Sequence, residues 1–201
     1  MKDISIIVPC YNIAPYIKNL LLSFHMLNLD NISYEILFIV EDNTEDNTEE
    51  IIKKYMLDMN YQLLTSNGRT VGKARNVGLD AAEGKYIWFV DGDDWIINPE
   101  IIQQVFALFK ESPNEQIVQI NFVSNYFHMQ HYSMVWQYIF TKEYLSNFRF
   151  GDMKYQEDND FMARVLTAYG KDSLVYLKIP SYYYNYFRPD SNTSHLWGYK
   201  I

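Results

Sequence analysis

The segment Tyr86-Ile87-Trp88-Phe89-Val90 is five apolar or aromatic residues without interruption, and Asp91-Gly92-Asp93-Asp94 follows it directly. An apolar run of that length suits a strand covered on both faces rather than one with a wet side. Three more short runs, Ile4–Val8, Glu35–Val40 and Tyr61–Leu64, precede it, each followed by a segment that reads as helix. Strands alternating with helices require a mostly parallel sheet with right-handed crossovers, which places the chain in the α/β class.

The helices are marked by their ends and their period. Ala14-Pro15 opens one that runs to about Leu27, with proline tolerated in the first turn. Asn47 or Thr48 caps a second, whose Ile51, Ile52, Tyr55 and Met56 recur at helical spacing. A third spans about Val71 to Ala82 with Gly84 as its C-terminal cap, and Pro99 opens a fourth through Phe109. Beyond it the pattern is less regular. Ile117–Phe122 reads as a strand, and the aromatic run from Tyr126 to Phe140 fits neither period. Thr141 starts a short helix through Phe148, and Asp158–Tyr169 is helical with Phe161, Val165 and Leu166 on one face. Two short strands, Leu174–Leu177 and Tyr182–Tyr186, flank Pro180. With no repeat and no linker, residues 1–201 form one domain. It divides near Pro99 into a nucleotide-type half, 1–98, and a more variable half, 99–201.

Composition narrows the partners. The net charge of −8 argues against nucleic acid, whose phosphates demand basic patches. No segment approaches the roughly 20 apolar residues of a transmembrane helix. The start Met1-Lys2-Asp3-Ile4 lacks a signal-peptide layout, and the single Cys10 fits a reducing cytoplasm. A cytoplasmic protein is therefore expected, with association at a membrane surface left open.

Three carboxylates at one strand end repel each other unless water or a cation neutralises them. Oxygen-only ligands favour a hard ion, Mg²⁺ or Mn²⁺, shared with substrate phosphates; the plainer reading is a solvated acidic turn. The run is not an EF-hand, because Trp95 and Ile96 replace a ligand and the required glycine. Gly68-Arg69-Thr70-Val71-Gly72-Lys73-Ala74 is not a P-loop, being one residue short with Ala74 at the magnesium position. In an open α/β sheet, ligands bind beyond the carboxyl ends of the strands. Pro9, Tyr11 and Asn12 follow the first strand, Glu41, Asp42, Asn43 and Thr44 the second, and Asp91, Asp93 and Asp94 the fourth. Tyr11 offers a flat face to a base, and Asp42 an acceptor for a ring N–H or a ribose hydroxyl.

These segments together resemble the family 2 glycosyltransferases of the GT-A fold. The matching stretches are Ser5-Ile6-Ile7-Val8-Pro9-Cys10-Tyr11-Asn12, Val40-Glu41-Asp42-Asn43-Thr44-Glu45-Asp46, Gly72-Lys73-Ala74-Arg75-Asn76-Val77-Gly78-Leu79 and Gly84-Lys85-Tyr86 into Asp91-Gly92-Asp93-Asp94. Tyr155-Gln156-Glu157-Asp158 with Phe161, and later Arg188, Ser191 and Ser194, add to it. The resemblance implies a metal-dependent, inverting transfer of sugar from a nucleotide donor, UDP-linked by preference, to a hydroxyl of a glycan or lipid-linked acceptor. It implies that Pro9, Tyr11 and Asp42 line the base pocket and that Arg69, Lys73 and Arg75 flank the nucleotide, with the inward-pointing one undecided. Asp91 would face the ribose or sugar, with Asp93 holding the metal on the diphosphate. Asp158 would be the catalytic base, with Glu157 its nearest competitor. The helix N-terminus beside Asp158 favours a carboxylate there. The family's usual Asp-Asp-Gly-Ser is altered, with Glu41 and Asn43 at its first and third positions.

Two other classes compete. In a haloacid dehalogenase-like phosphatase Asp91 would be the nucleophile, but that signature belongs on a first strand and continues to Thr, not Trp95. A catalytically inactive nucleotide- or sugar-binding module would have less use for both Asp93 and Asp158. His128, His131 and His195 read as separate exposed or packing side chains, His195 being the one placed to add a metal ligand. Tyr182, Tyr183, Tyr184, Tyr186 and Phe187 read as core and rim of a strand.

Overall fold

The computed structural model describes residues 1–125, 134–170 and 174–186. Among them, eight strands form a single sheet in the order β3-β2-β1-β4-β7-β6-β8-β5. The strands are β1 (Lys2–Cys10), β2 (Tyr34–Glu41), β3 (Tyr61–Ser66), β4 (Gly84–Phe89), β5 (Trp95–Ile96), β6 (Ile117–Ser124), β7 (Tyr138–Thr141) and β8 (Val175–Tyr184). The first four pair in parallel, as their alternation with α1 (Ile17–His25), α2 (Thr48–Tyr55) and α3 (Val71–Ala81) requires. Strand order reverses between β1 and β4, so the crevice expected to hold ligand opens where Pro9–Asn12 and Asp91–Asp94 leave the sheet.

The sheet is buried on both faces. Ile4, Ile6 and Val8 of β1 pack with Leu20 and Phe24 of α1, Ile52 of α2, and Ile102 and Val105 of α4 (Ile101–Glu111). Ile7 turns to the other side, where Leu79 of α3 and Phe161 and Val165 of α6 (Glu157–Tyr169) cover it. On β4, Trp88 joins the first cluster while Ile87 and Phe89 join the second, as period 2 demands. Each such side chain, fully buried, contributes on the order of 1.5–3 kcal/mol. Trp88 also needs a partner for its indole N–H and donates it to the Trp136 carbonyl at 3.0 Å.

Several expectations are corrected. Gly84 does not cap α3; Ala82 does, in extended conformation, and Gly84 begins β4. A Cβ at Gly84 would lie 2.3 Å from the Ser5 backbone nitrogen, so the residue permits close strand approach. The helix after Pro15 starts at Ile17 and ends at His25, and that after Pro99 starts at Ile101. The two strands around Pro180 are one, β8, which absorbs the proline by shifting register against β6 near Asn121. The sheet is mostly parallel over β1 to β4, as expected, with β7 inserted antiparallel between β4 and β6. The ambiguous aromatic run resolves over its last residues into a short 3₁₀ turn, Val135–Gln137, leading into β7. The helix after Thr141, α5, is only Lys142–Leu145. The earlier part of that run, with His128 and His131, lies outside the described residues, as do Phe187, Arg188, Ser191, Ser194 and His195.

Candidate active site

The acidic loop after β4 is held from two directions. Asp94 is fully buried and accepts hydrogen bonds from the Tyr182 hydroxyl and the Asn185 backbone N–H, each at 2.8 Å. The same tyrosine oxygen accepts from the Asp91 backbone N–H at 3.1 Å, and the Asn185 side-chain amide reaches the Asp93 carbonyl at 3.4 Å. Tyr182 of β8 and Asn185 just past it thus hold the backbones of Asp91 and Asp93 and the carboxylate of Asp94. Burial, together with the charges of Asp93 and Asp91, pushes the Asp94 carboxyl well above the usual range, against those two hydrogen bonds. Gly92 lets the loop after β1 close over it, since a Cβ there would meet Ile13 Cδ1 at 2.3 Å.

Arg75, one turn into α3, is 2 % exposed and lies under the site. Its Nη2 donates to Asp91 Oδ1 at 2.8 Å, and its Nη1 donates to Glu157 Oε1 at 3.0 Å and to Asp158 Oδ1. Burial opposes the guanidinium charge, but Asp158, Asp91 and Glu157 outweigh it and raise the pKa of Arg75. One planar cation therefore connects the end of β4 to the start of α6, with Asp158 lying 83 positions from Arg75 in the chain. Asp158 does not cap its helix. Gln156 precedes α6 in left-handed conformation, and no side chain caps it. Burial raises the Asp158 pKa from 3.8 to about 6, opposed by Arg75 and assisted by the neighbouring charge of Glu157, while Val135 contributes a backbone hydrogen bond. Desolvation outweighs the helix N-terminus, which leaves a carboxyl suited to accept a proton near neutral pH.

The other predicted residues sit at the same carboxyl edge. Tyr11 is 50 % exposed, Pro9 is half-buried beside it, and Asp42 is exposed at the end of β2. Asn12, at a positive φ of 46°, accepts the Glu45 N–H at 2.9 Å and ties the loops after β1 and β2 together. The Glu41 side chain reaches past β3, where its Oε2 accepts the Arg69 N–H at 2.9 Å. Its Oε1, Asn43 Oδ1 and Thr44 Oγ1 are buried without hydrogen-bond partners. Arg69 is exposed with φ at 55°, and Lys73 is engaged by Asp152 at 2.8 Å on the surface. Of the three basic residues, the one drawn into the acidic cluster is Arg75. Sequence pattern counts Asp94 at this edge without a role of its own and singles out neither Tyr182 nor Asn185 as parts of the site. Asp94 was visible in the acidic run, whereas nothing local distinguishes Tyr182 from its aromatic neighbours.

The sequence model of glycosyl transferase family 2 matches residues 5–175. A poly(ribitol-phosphate) β-N-acetylglucosaminyltransferase, TarS of Staphylococcus aureus, is 35% identical over 120 residues, 59% of this chain and 21% of that protein. The chain thus spans about a fifth of that curated relative's length. The crystal structure of S. aureus TarS 1–349 in complex with UDP-GlcNAc superposes with a TM-score of 0.82 at 25% identity, over 96% of this chain and 60% of that one. A mannosyltransferase from Pyrobaculum calidifontis, solved with GDP-Man and Mn²⁺, shares the fold at a TM-score of 0.70 and 16% identity, over 98% of this chain and 61% of that one.

Proposed function

Because the chain belongs to glycosyl transferase family 2, with the GT-A fold, we propose that it transfers a sugar from a UDP-linked donor to a hydroxyl of a glycan or lipid-linked acceptor, with inversion and with Asp158 as the base. The observation that carries this is the joining of Asp91 and Asp158 through Arg75, which sets a donor-side carboxylate and a proton acceptor in one fixed frame. Family membership sets aside the phosphatase reading, and turnover separates an enzyme from an inactive binding module. The UDP-GlcNAc complex of TarS supports a uridine donor. So do the edge placement of Tyr11 and Asp42 and the partnerless acceptors of Glu41, Asn43 and Thr44, which N–H or O–H groups of a nucleoside would satisfy. Where the reaction runs is proposed as the cytoplasm. No helix among the described residues is long and apolar enough to cross a membrane.

The donor set fits a divalent ion held jointly with substrate. Among the described residues, no three His, Cys, Asp or Glu side chains are grouped to hold a metal by themselves. Asp91, Glu157 and Asp158 nevertheless share one guanidinium, and the charges of Asp93 and Asp91 act on Asp94, an excess of acid that favours a cation. Mg²⁺ or Mn²⁺ takes one or two carboxylates and completes its shell with phosphate oxygens and water, so Asp93, with Asp91 beside it, would hold it. Bound there, the ion would neutralise charge developing on the leaving diphosphate. Asp158 takes the proton from the acceptor hydroxyl, Arg75 orients that carboxylate, and Tyr11 and Asp42 seat the base. Calorimetric titration with UDP, with and without Mn²⁺, followed by UDP release from UDP-sugars, tests the reading. Binding that needs Mn²⁺ and is lost in Asp93→Ala is expected; UDP binding in that variant with unchanged Mn²⁺ dependence would show the metal assignment to be wrong.

A further inference from the structure

We propose that Arg75 is a positioning residue for the transfer step, holding Asp158 at the angle and distance from which it takes the acceptor proton, and not a ligand of the donor diphosphate. This rests on Asp158 being the base. Both terminal nitrogens of Arg75 are already committed to carboxylates, and the side chain is 2 % exposed. A diphosphate would have to compete with Asp91, Glu157 and Asp158 for those two nitrogens. The guanidinium has a contact besides its ion pairs. Phe150 lies against it at 5.4 Å, and Asn76, the next residue of α3, holds Phe150 from both sides. The Asn76 amide donates to the Phe150 carbonyl at 3.0 Å and its Oδ1 accepts the Phe150 N–H at 2.9 Å. Phe150 in turn stacks on Phe161 at 3.9 Å, on the same helix that carries Asp158.

The donor and the acceptor of the Arg75–Asp158 bond are therefore referenced to one aromatic stack. Arg75 Nε is buried without a partner, so the side chain gives up a hydrogen bond to hold this pose. A lysine would keep the charge but not the fork, because an ammonium is a point charge that cannot span Asp91 and Asp158 in fixed directions. Displacing a reacting group by about 1 Å costs on the order of 10²-fold in rate.

The test is Arg75→Lys, read by kcat, by UDP affinity with Mn²⁺, and by the same change made in an Asp158→Asn background. We expect kcat to fall by about 30- to 100-fold with UDP affinity within about threefold, and Arg75→Lys to cost less than about threefold when Asp158 is already Asn. UDP affinity falling in step with kcat would place Arg75 on the diphosphate and overturn the proposal. So would an equal loss in both backgrounds, or an unchanged kcat. If Asp158→Asn alone transfers normally, the base assignment fails first, and that result is separate from any obtained with Arg75. Should the lysine variant not fold, Phe150→Leu decides instead: it leaves every carboxylate in place and should lower kcat several-fold at unchanged UDP affinity, and an unchanged kcat would overturn the proposal.

Discussion

Replacing Asp158 by Asn removes a proton acceptor while keeping the side chain's size, and the burial of the site fixes what else should change. Burial raises this carboxyl from 3.8 to about 6, with Arg75 opposing and Glu157 adding. That difference corresponds to ~3 kcal/mol between the two protonation states. In the proposed role as base, the ionised form is the active one. It is nearly complete at pH 8 and about a tenth of the population at pH 5. Activity at limiting substrate should therefore fall about tenfold between those values along a one-proton limb centred near pH 6. The Asn variant should lose about 10²- to 10⁴-fold of the transfer rate and lack that limb. For stability the sign runs the other way. A carboxyl whose folded pKa is raised stabilises fully below its unfolded pKa, and that contribution is lost as pH rises from about 4 through 6. At pH 8 the native protein thus carries the cost of a buried charge that the Asn variant avoids. Thermal melts should show the variant no less stable at pH 8, its relative stability decreasing toward pH 4. UDP release measured from pH 5 to 8 on both proteins checks the kinetic half. Near-normal transfer, or an acid limb that persists without Asp158, would refute the reasoning and make Glu157→Gln the next variant.

Tyr182→Phe removes a buried hydroxyl that accepts from the Asp91 N–H and donates to Asp94. It should cost about 1–3 kcal/mol in denaturant melts and weaken Mn²⁺-dependent UDP binding, because the acidic loop loses its anchor to β8. Asp42→Ala, at the exposed end of β2, should weaken UDP far more than pyrophosphate in parallel titrations, and equal losses would place Asp42 away from the base.

Local pattern fixed the early elements of this protein. The uninterrupted apolar run of β4 and the helical spacing of Ile51, Ile52 and Tyr55 each state their period within a few residues, so the alternation and the parallel pairing of β1 to β4 follow from sequence. The gathering of Pro9, Tyr11, Asp42 and Asp91 at one edge follows as well, because parallel strands share a direction and so present their carboxyl ends together. Tertiary structure decided the rest. Gly84 resembled a helix cap because its place after α3 is local information, whereas its contact with Ser5 lies 79 residues away. The antiparallel insertion of β7, and the joining of two apparent strands into β8, depend on neighbours across the sheet rather than on period. The sequence placed three basic residues near the nucleotide and could not choose among them. Burial chose, because a guanidinium out of water must find carboxylates, and only the tertiary fold brings Glu157 and Asp158 of α6 and Asp91 after β4 to Arg75.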